Sequence, residues 1–322
     1  MESITIITDH SDYGMTIKRV YEKEGFHIAG FIFPESSGLQ GEIDGVCAKT
    51  IGGTAPSELE GVSMIVAAFA DEEEGEELLD RLMSLDPDGF QDKQIVIPDA
   101  GDIQRRIRKY FPFSPERILL NTEPLSRLSG LDRGEAIDRY YIEKFLREEA
   151  EKLGKPSLTL EVGDDRYSTA FFPKAEHEIL NYLEGMDLTD QRTLPSERYD
   201  VFICTQTIPH IYDVRKAVSG AKSVLKPGGV LLATVCGCAT QLSKEDSEWD
   251  KWDHFWGFTE ASFRRLLSDE FGEEHVRVKG YGNAMAATAF IQGLSQEDID
   301  ISLLDKNDSD FSIVICAAAV KR

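Results

Sequence analysis

The chain has 322 residues, 41% of them apolar and 29% charged, a globular composition with length for two domains of ordinary size. The formal net charge of −23 makes nucleic acid and anionic membrane poor partners, and no apolar run approaches the ~20 residues of a membrane span. The plainer meaning of that charge is solubility.

The opening MESITIITDH enters a strand without a basic region or cleavage site, which predicts no signal peptide. Cys204, Cys236 and Cys316 sit in or at the end of apolar, strand-like runs, where cysteine behaves as a small hydrophobe. The CGC of Cys236 and Cys238 lacks a second pair at metal-site spacing, so no metal site is expected. A reducing, cytoplasmic setting fits such cysteines best.

The first block alternates strand and helix. SITIITD reads as a strand, MTIKRVYEKEG as a helix ending at glycine, HIAGFIF and SMIVAAF as strands, DEEEGEELLDRLMSL as a helix and KQIVIP as a strand. Ile- and Val-rich strands with helices between them imply a parallel sheet covered on both faces. The acidic run at 71–77 suits a helix N-terminus and is assigned no function. The block is expected to span residues 1–115. Residues 116–154 read as a mainly helical linker, with Ile137, Tyr141 and Phe145 at helical spacing, Tyr140 and Ile142 beside them, and a stop at Gly154.

The second block, 155–322, opens with the strand SLTLEVG. HEILNYL and YDVFICTQ follow as strands, DVRKAVSGAKSVL as a helix, KPGG as a turn, VLLATV as a strand and EASFRRLLSDEFG as a helix. HVRVKGY and SIVICAAAV are the final strands, expected to pair antiparallel, with a partly helical excursion between them. The fold class is therefore α/β, with two doubly wound, Rossmann-like domains.

In an open parallel sheet, ligands bind beyond the carboxyl ends of the strands. The residues there are Glu161, Gly163, Asp164 and Asp165 after the first strand, then Asn181, Tyr182 and Glu184 after the second. Thr205 and Gln206 follow the third, and Cys236 and Gly237 the fourth.

The series DRGEAIDRYYIEKFL, LEVGDDRY, TQTIPHIYDV, LKPGGVLLATV, WDHFWGFT and YGNAMAATAF, over residues 130–322, resembles class I S-adenosylmethionine-dependent methyltransferases. Its order is similar to the bacterial methyltransferase-like domains found alongside glycosyltransferases. The resemblance implies S-adenosylmethionine as cofactor and a small-molecule or glycan acceptor, with surface-glycan assembly as the setting. Residue by residue it implies that Glu161, Gly163 and Asp164 form the first cofactor loop. Asp187 of MDL would accept a hydrogen bond from the adenine amino group, and Thr205 and Gln206 would floor the site under the sulfonium. KPGG reads as architecture.

This chain departs from that pattern in two places. Further glycines are usual where it has Asp165 and Tyr167, and an acidic ribose ligand is usual where it has LNYLEG, so that Asn181 or Glu184 must substitute. The stretch from the second strand to MDL is also short for the usual helix and third strand. A non-catalytic relative that binds a ligand or partner is the alternative.

Transfer to oxygen or nitrogen needs positioning and often a base. His210 follows the third strand, and reads either as that base or as a helix-start residue packed on the sheet. His254 lies in WDKWDHFWGFT, where Asp253 could orient it and Trp252, Phe255 and Trp256 could wall an acceptor pocket or form a satellite core. Tyr140 and Tyr141 read as core, or as residues reaching over the cofactor. No Ser-His-Asp set or GxxxxGK phosphate loop is present.

The first block resembles the sugar-nucleotide-binding Rossmann-type domain that precedes some sugar-modifying enzymes. Its first turn keeps only Gly14, with His10, Ser11 and Asp12 in the other places, and an aspartate there would repel a pyrophosphate. A scaffold or dimer surface is the preferred reading, which leaves a homodimer open.

Overall fold

The computed structural model describes residues 2–9, 11–37, 39–51, 61–69, 79–81, 83–84, 93–114, 122–238 and 253–322. These fall into two compact units, each with its own six-stranded sheet.

One unit gathers the residues up to Glu135 together with Gln292–Asp298. Its strands are β1 (Ser3–Ile7), β2 (His27–Phe33), β3 (Gly41–Ile43), β4 (Val46–Thr50), β5 (Met64–Ala67) and β6 (Gln94–Val96), in the order β3-β4-β2-β1-β5-β6. All pairs are parallel except β3 with β4. The β1 side chains alternate between two cores. Ile4 and Ile6 pack with Ile17 and Val20 of α1 (Ser11–Lys23) and with Ile103 and Ile107 of α2 (Ala100–Tyr110), whereas Ile7 packs with Ile32, Ile65 and Leu79. Such two-sided burial is why these strands read as unbroken apolar runs.

Three features here depart from expectation. The β3–β4 hairpin was not foreseen, although Asp44 and Gly45, at φ 48° and 75°, are the turn pair that a two-residue hairpin favours. Helix α2 was also missed, although Asp99 caps it by accepting from Asp102 N at 2.9 Å. Gly14 lies inside α1, not in a turn before it. A Cβ there would come within 2.8 Å of Thr8 Cγ2, so this glycine allows close helix–strand packing. The acidic run at 71–77 and His10 lie outside the described residues. The helix expected over 71–85 is described only at 79–81 and 83–84, where it is helical.

The second unit holds α3 (Ile137–Leu153), β7 (Leu158–Val162), α4 (Arg166–Phe171), β8 (Glu176–Leu180), β9 (Tyr199–Thr205), α5 (Val214–Val224) and β10 (Leu225–Cys236). It continues with α6 (Glu260–Phe271), β11 (Val276–Gly282), α7 (Ala284–Ile291) and β12 (Ser312–Val320). Strand order is β11-β12-β10-β9-β7-β8. Strands β7 to β10 pair in parallel, and β12 runs antiparallel to both β10 and β11. Between β8 and β9 the chain makes only short 3-10 turns, and no strand pairs on the free edge of β8 among the described residues.

Among the described residues of the stretch expected to be mainly helical, the helix runs from Ile137, and Ser129 and Gly130 before it hold positive φ. KPGG is drawn into β10, but the β9–β10 register breaks between Leu225 and Val230, and Gly228 takes φ 82°. No helix among the described residues is long and apolar enough to cross a membrane.

Candidate functional site

Parallel pairing of β7 with β8 and β9, and of β9 with β10, brings four carboxyl ends to one edge of the sheet. At the end of β7, Glu161 is 1% exposed and turns toward the start of α4, accepting from Tyr167 N at 3.2 Å and Ser168 N at 2.6 Å. It does the capping that Asp165, at the N-cap position, does not do with its own side chain. Burial pushes the Glu161 carboxyl up to about 6, against the pull of the two amides. Gly163 follows at φ 86°, and a Cβ there would meet nothing within 4 Å. Asp164 accepts from Arg166 N at 3.2 Å.

After β8, Asn181 Oδ1 accepts from Leu183 N at 3.0 Å and caps the 3-10 turn Tyr182–Glu184. Glu184 is exposed on that turn. Asp187 Oδ1 accepts from Thr189 N at 2.7 Å and from its hydroxyl at 2.8 Å, so this oxygen is committed to its own turn. The Asn181 and Asp187 side chains thus do local structural work.

After β9, Thr205 leads into Gln206, a non-glycine residue at φ 50° whose backbone N–H donates to Thr234 O at 2.8 Å. The Gln206 side chain reaches Thr234 Oγ1 at 3.4 Å. A 3-10 turn over Ile208–His210 follows. His210 Nδ1 lies 3.2 Å from the backbone carbonyl of Asp253. A carbonyl only accepts, so Nδ1 carries a proton toward it.

The two candidate histidines meet, their ring centroids 5.1 Å apart. His254 Nε2 lies 3.1 Å from Trp256 O and 3.0 Å from Cys236 Sγ, so by the same reasoning its proton is on Nε2. Its Nδ1 is buried without a partner. Burial and the neighbouring His210 hold the His254 imidazole below its ordinary range, so it stays neutral. Burial pushes the Cys236 thiol up to about 11, which leaves it no nucleophile at neutral pH. Asp253 orients His210 through its main chain; orientation of His254 by its side chain was the expectation. Among the described residues, no group of three or more His, Cys, Asp or Glu could hold a metal ion.

Tyr141 is 1% exposed and belongs to the core, with no partner for its hydroxyl. Tyr140 donates to Asp305 Oδ1 at 2.7 Å. A different residue of α3 approaches the first loop: Arg139 Nη1 lies 3.1 Å from Tyr167 OH. Nothing in the local sequence signalled it. Trp256 is exposed and donates through Nε1 to Tyr212 O at 3.2 Å, whereas Trp252 lies outside the described residues. An open depression of about 590 Å³ lies between α3 and α4, lined by residues such as Arg147, Arg166 and Tyr167 and by none of the loops after β8, β9 or β10. It is not the strand-end site.

No curated protein matches this chain. Among solved structures it is similar to a SAM-dependent methyltransferase from Archaeoglobus fulgidus, at 12% identity over 57% of this chain and 94% of that one, with a TM-score of 0.38. It is also similar to the plantazolicin methyltransferase BamL, solved with a triazolic desmethylPZN analog and SAH, at 12% identity over 69% and 96%, with a TM-score of 0.39. A third similar structure is the 1,6-didemethyltoxoflavin-N1-methyltransferase of Burkholderia thailandensis, at 14% identity over 57% and 81%, with a TM-score of 0.33. These likenesses are distant. The model of the family described as methyltransferase domain matches residues 166–233, from the first residue of α4 into β10, so that this segment, with Asn181, Asp187, Thr205 and His210, is similar to a methyltransferase domain.

Proposed function

We propose that the chain is an S-adenosylmethionine-dependent methyltransferase acting on oxygen or nitrogen of a small-molecule or carbohydrate acceptor, with His210 as the base. The observation that carries this reading is the match of residues 166–233 to a methyltransferase domain, a segment that includes His210 after β9. The Asp253 carbonyl, 3.2 Å from Nδ1, orients the His210 imidazole there. The residues present fit the cofactor at the first loop, where Gly163 leaves open the space a Cβ would occupy.

When bound, S-adenosylmethionine supplies a methyl group on a sulfonium whose thioether then leaves. Gly163 and Asp164 would pass the methionine part close to the backbone, and Asp187 would offer Oδ2 to the adenine amino group. Asn181 or Glu184 would hold the ribose, and Thr205 and Gln206 would line the floor. His210 Nε2 takes the acceptor's proton as the acceptor heteroatom gains its methyl. His254, kept neutral beside it, adds no competing positive charge. A cytoplasmic role in surface-glycan assembly, with residues 1–115 as scaffold or dimer surface, completes the proposal.

A second reading, a non-catalytic ligand-binding relative, is favoured by the commitment of Asn181 to its own 3-10 turn. Calorimetric titration with S-adenosylhomocysteine tests the cofactor. Micromolar binding is expected; no binding at millimolar ligand overturns the transferase reading.

A further inference from the structure

One face of α3 carries a row of alternating charge. The helix buries Ile137, Tyr141, Phe145 and Leu146 on its inner side. On the outer side Glu143, Arg147 and Glu151 follow at four-residue intervals, so they lie in one row, successive charges about 6 Å apart along the axis. Glu143 accepts from Arg166 Nη2 of α4 at 3.2 Å. Arg147 and Glu151 are both exposed, and neither side chain makes an ion pair or hydrogen bond with any described residue. Beside the row runs the open depression between α3 and α4, where Ala150 and Ala170 present only methyl groups. The four charged residues that line it, Glu143, Glu151, Arg147 and Arg166, balance one another. In a chain of net charge −23 the surface as a whole repels a second copy, and this balanced face is an exception.

We infer that this face of α3 is the contact between two copies of the chain, packed antiparallel about a two-fold axis beside Ala150. The row has the symmetry that such a contact requires. A two-fold axis between Arg147 and Glu151 reverses the order of the row. Arg147 of one copy then meets Glu151 of the other, and symmetry forms the second such pair. Two helices packed in parallel would instead set Arg147 against Arg147. A partner helix of uniform charge would meet one like charge for each opposite one. Ala150 at the centre lets the helices approach closely, and Phe171 in the depression offers apolar area for the contact to cover. Charge pairs at an exposed contact fix register and orientation more than affinity. The inference does not depend on the transferase reading. It places the contact between copies in the second unit and leaves residues 1–115 as scaffold.

Sedimentation equilibrium on the full chain tests it. Wild type is expected to sediment at twice the mass of one chain. Arg147→Glu turns both reciprocal pairs into like-charge contacts, and so does Glu151→Arg. Each variant alone is expected to associate roughly a hundredfold or more weakly. Mixed in equal amounts, the two variants restore opposite charge at both contacts, and a heterodimer of wild-type affinity is expected. A chain carrying both substitutions keeps a self-complementary row and is expected to dimerise as well. Both positions are exposed, so the fold is expected to hold, and a thermal melt of each variant checks this. The inference is overturned if wild type remains a monomer up to millimolar concentration, or if either single variant dimerises as wild type does, which would put the contact on another surface. It is equally overturned if the mixed variants stay apart, because a merely structural effect of the substitutions would not be undone by mixing.

Discussion

The imidazoles of His210 and His254 stand with ring centroids 5.1 Å apart, yet they carry their protons on different nitrogens, Nδ1 in His210 and Nε2 in His254. The Asp253 carbonyl orients the first ring, and burial keeps the second neutral beside it. His210→Ala is expected to lower turnover by roughly a hundredfold or more while the affinity for S-adenosylhomocysteine holds. His210→Gln keeps a donor for the Asp253 carbonyl but no base, and is expected to be as slow. Turnover by either variant at the wild-type rate would remove His210 from the chemistry.

Gly163 tests the first loop. A valine there would fill the space proposed for the methionine part of the cofactor, so binding of S-adenosylhomocysteine is expected to vanish. The structure adds a second effect that a contact argument misses. At φ 86° any L side chain is strained, although a Cβ meets no neighbour within 4 Å. Gly163→Val is therefore expected to cost about 1–3 kcal/mol of stability as well. Gly163→Ala carries much of that strain with less bulk, so comparing the two in calorimetry and urea unfolding separates strain from blockage. Wild-type affinity in the valine variant would move the site elsewhere.

What was legible in the sequence follows from how far each signal reaches. Strands β9, β10 and β12 announce themselves because their runs are apolar on both faces, and the antiparallel β11–β12 pair stands where expected. His210 could be picked out from its place after a strand, and so, less directly, could His254. Their meeting could not, because 43 residues separate His210 from the carbonyl of Asp253 that orients it. The burial of Tyr141 was legible and underweighted: it shares a helical face with Ile137 and Phe145, all three buried. Arg139 faces another way, and only the packing of α3 near Tyr167 reveals it.

Long-range pairing of buried charge is the least legible feature of all. Arg133 is fully buried and grips Asp298 with Nε and Nη2, both at 2.8 Å, across 165 residues of sequence. Its Nη1 donates to Phe111 O at 3.2 Å. Gln296 N donates to Glu135 O at 2.8 Å, and Ser295 N to Asp298 Oδ2 at 3.0 Å, so the first unit is completed by a late segment. Asp298→Ala strands a buried guanidinium and is expected to cost roughly 3–5 kcal/mol. For the same reason a fragment ending at residue 135 is expected not to fold. A sharp urea transition from that fragment, or a wild-type midpoint for Asp298→Ala, would show that the pair is dispensable.

Glu161 gives the last expectation, and its sign differs from that of most buried carboxylates. Its folded-state value is raised, from 4.5 to about 6, chiefly by burial. The folded state therefore binds more protons than the unfolded state between these values, and stability falls as pH rises through that window. A shift of this size corresponds to an effect of order 2 kcal/mol, complete above about pH 6. His254 acts oppositely. Its value is lowered, so its contribution is present above its unfolded value of 6.5 and is lost as pH falls below it. The two trends overlap in the wild type, so the wild-type slope alone decides nothing. Glu161→Gln removes the first and keeps the second. Urea midpoints measured for both proteins at pH 4.5, 5.5 and 6.5 are expected to shift in the variant's favour as pH rises, relative to their difference at pH 4.5. A difference that stays flat over this range would mean that the two α4 amides hold Glu161 ionised as easily in the folded chain as in the unfolded one.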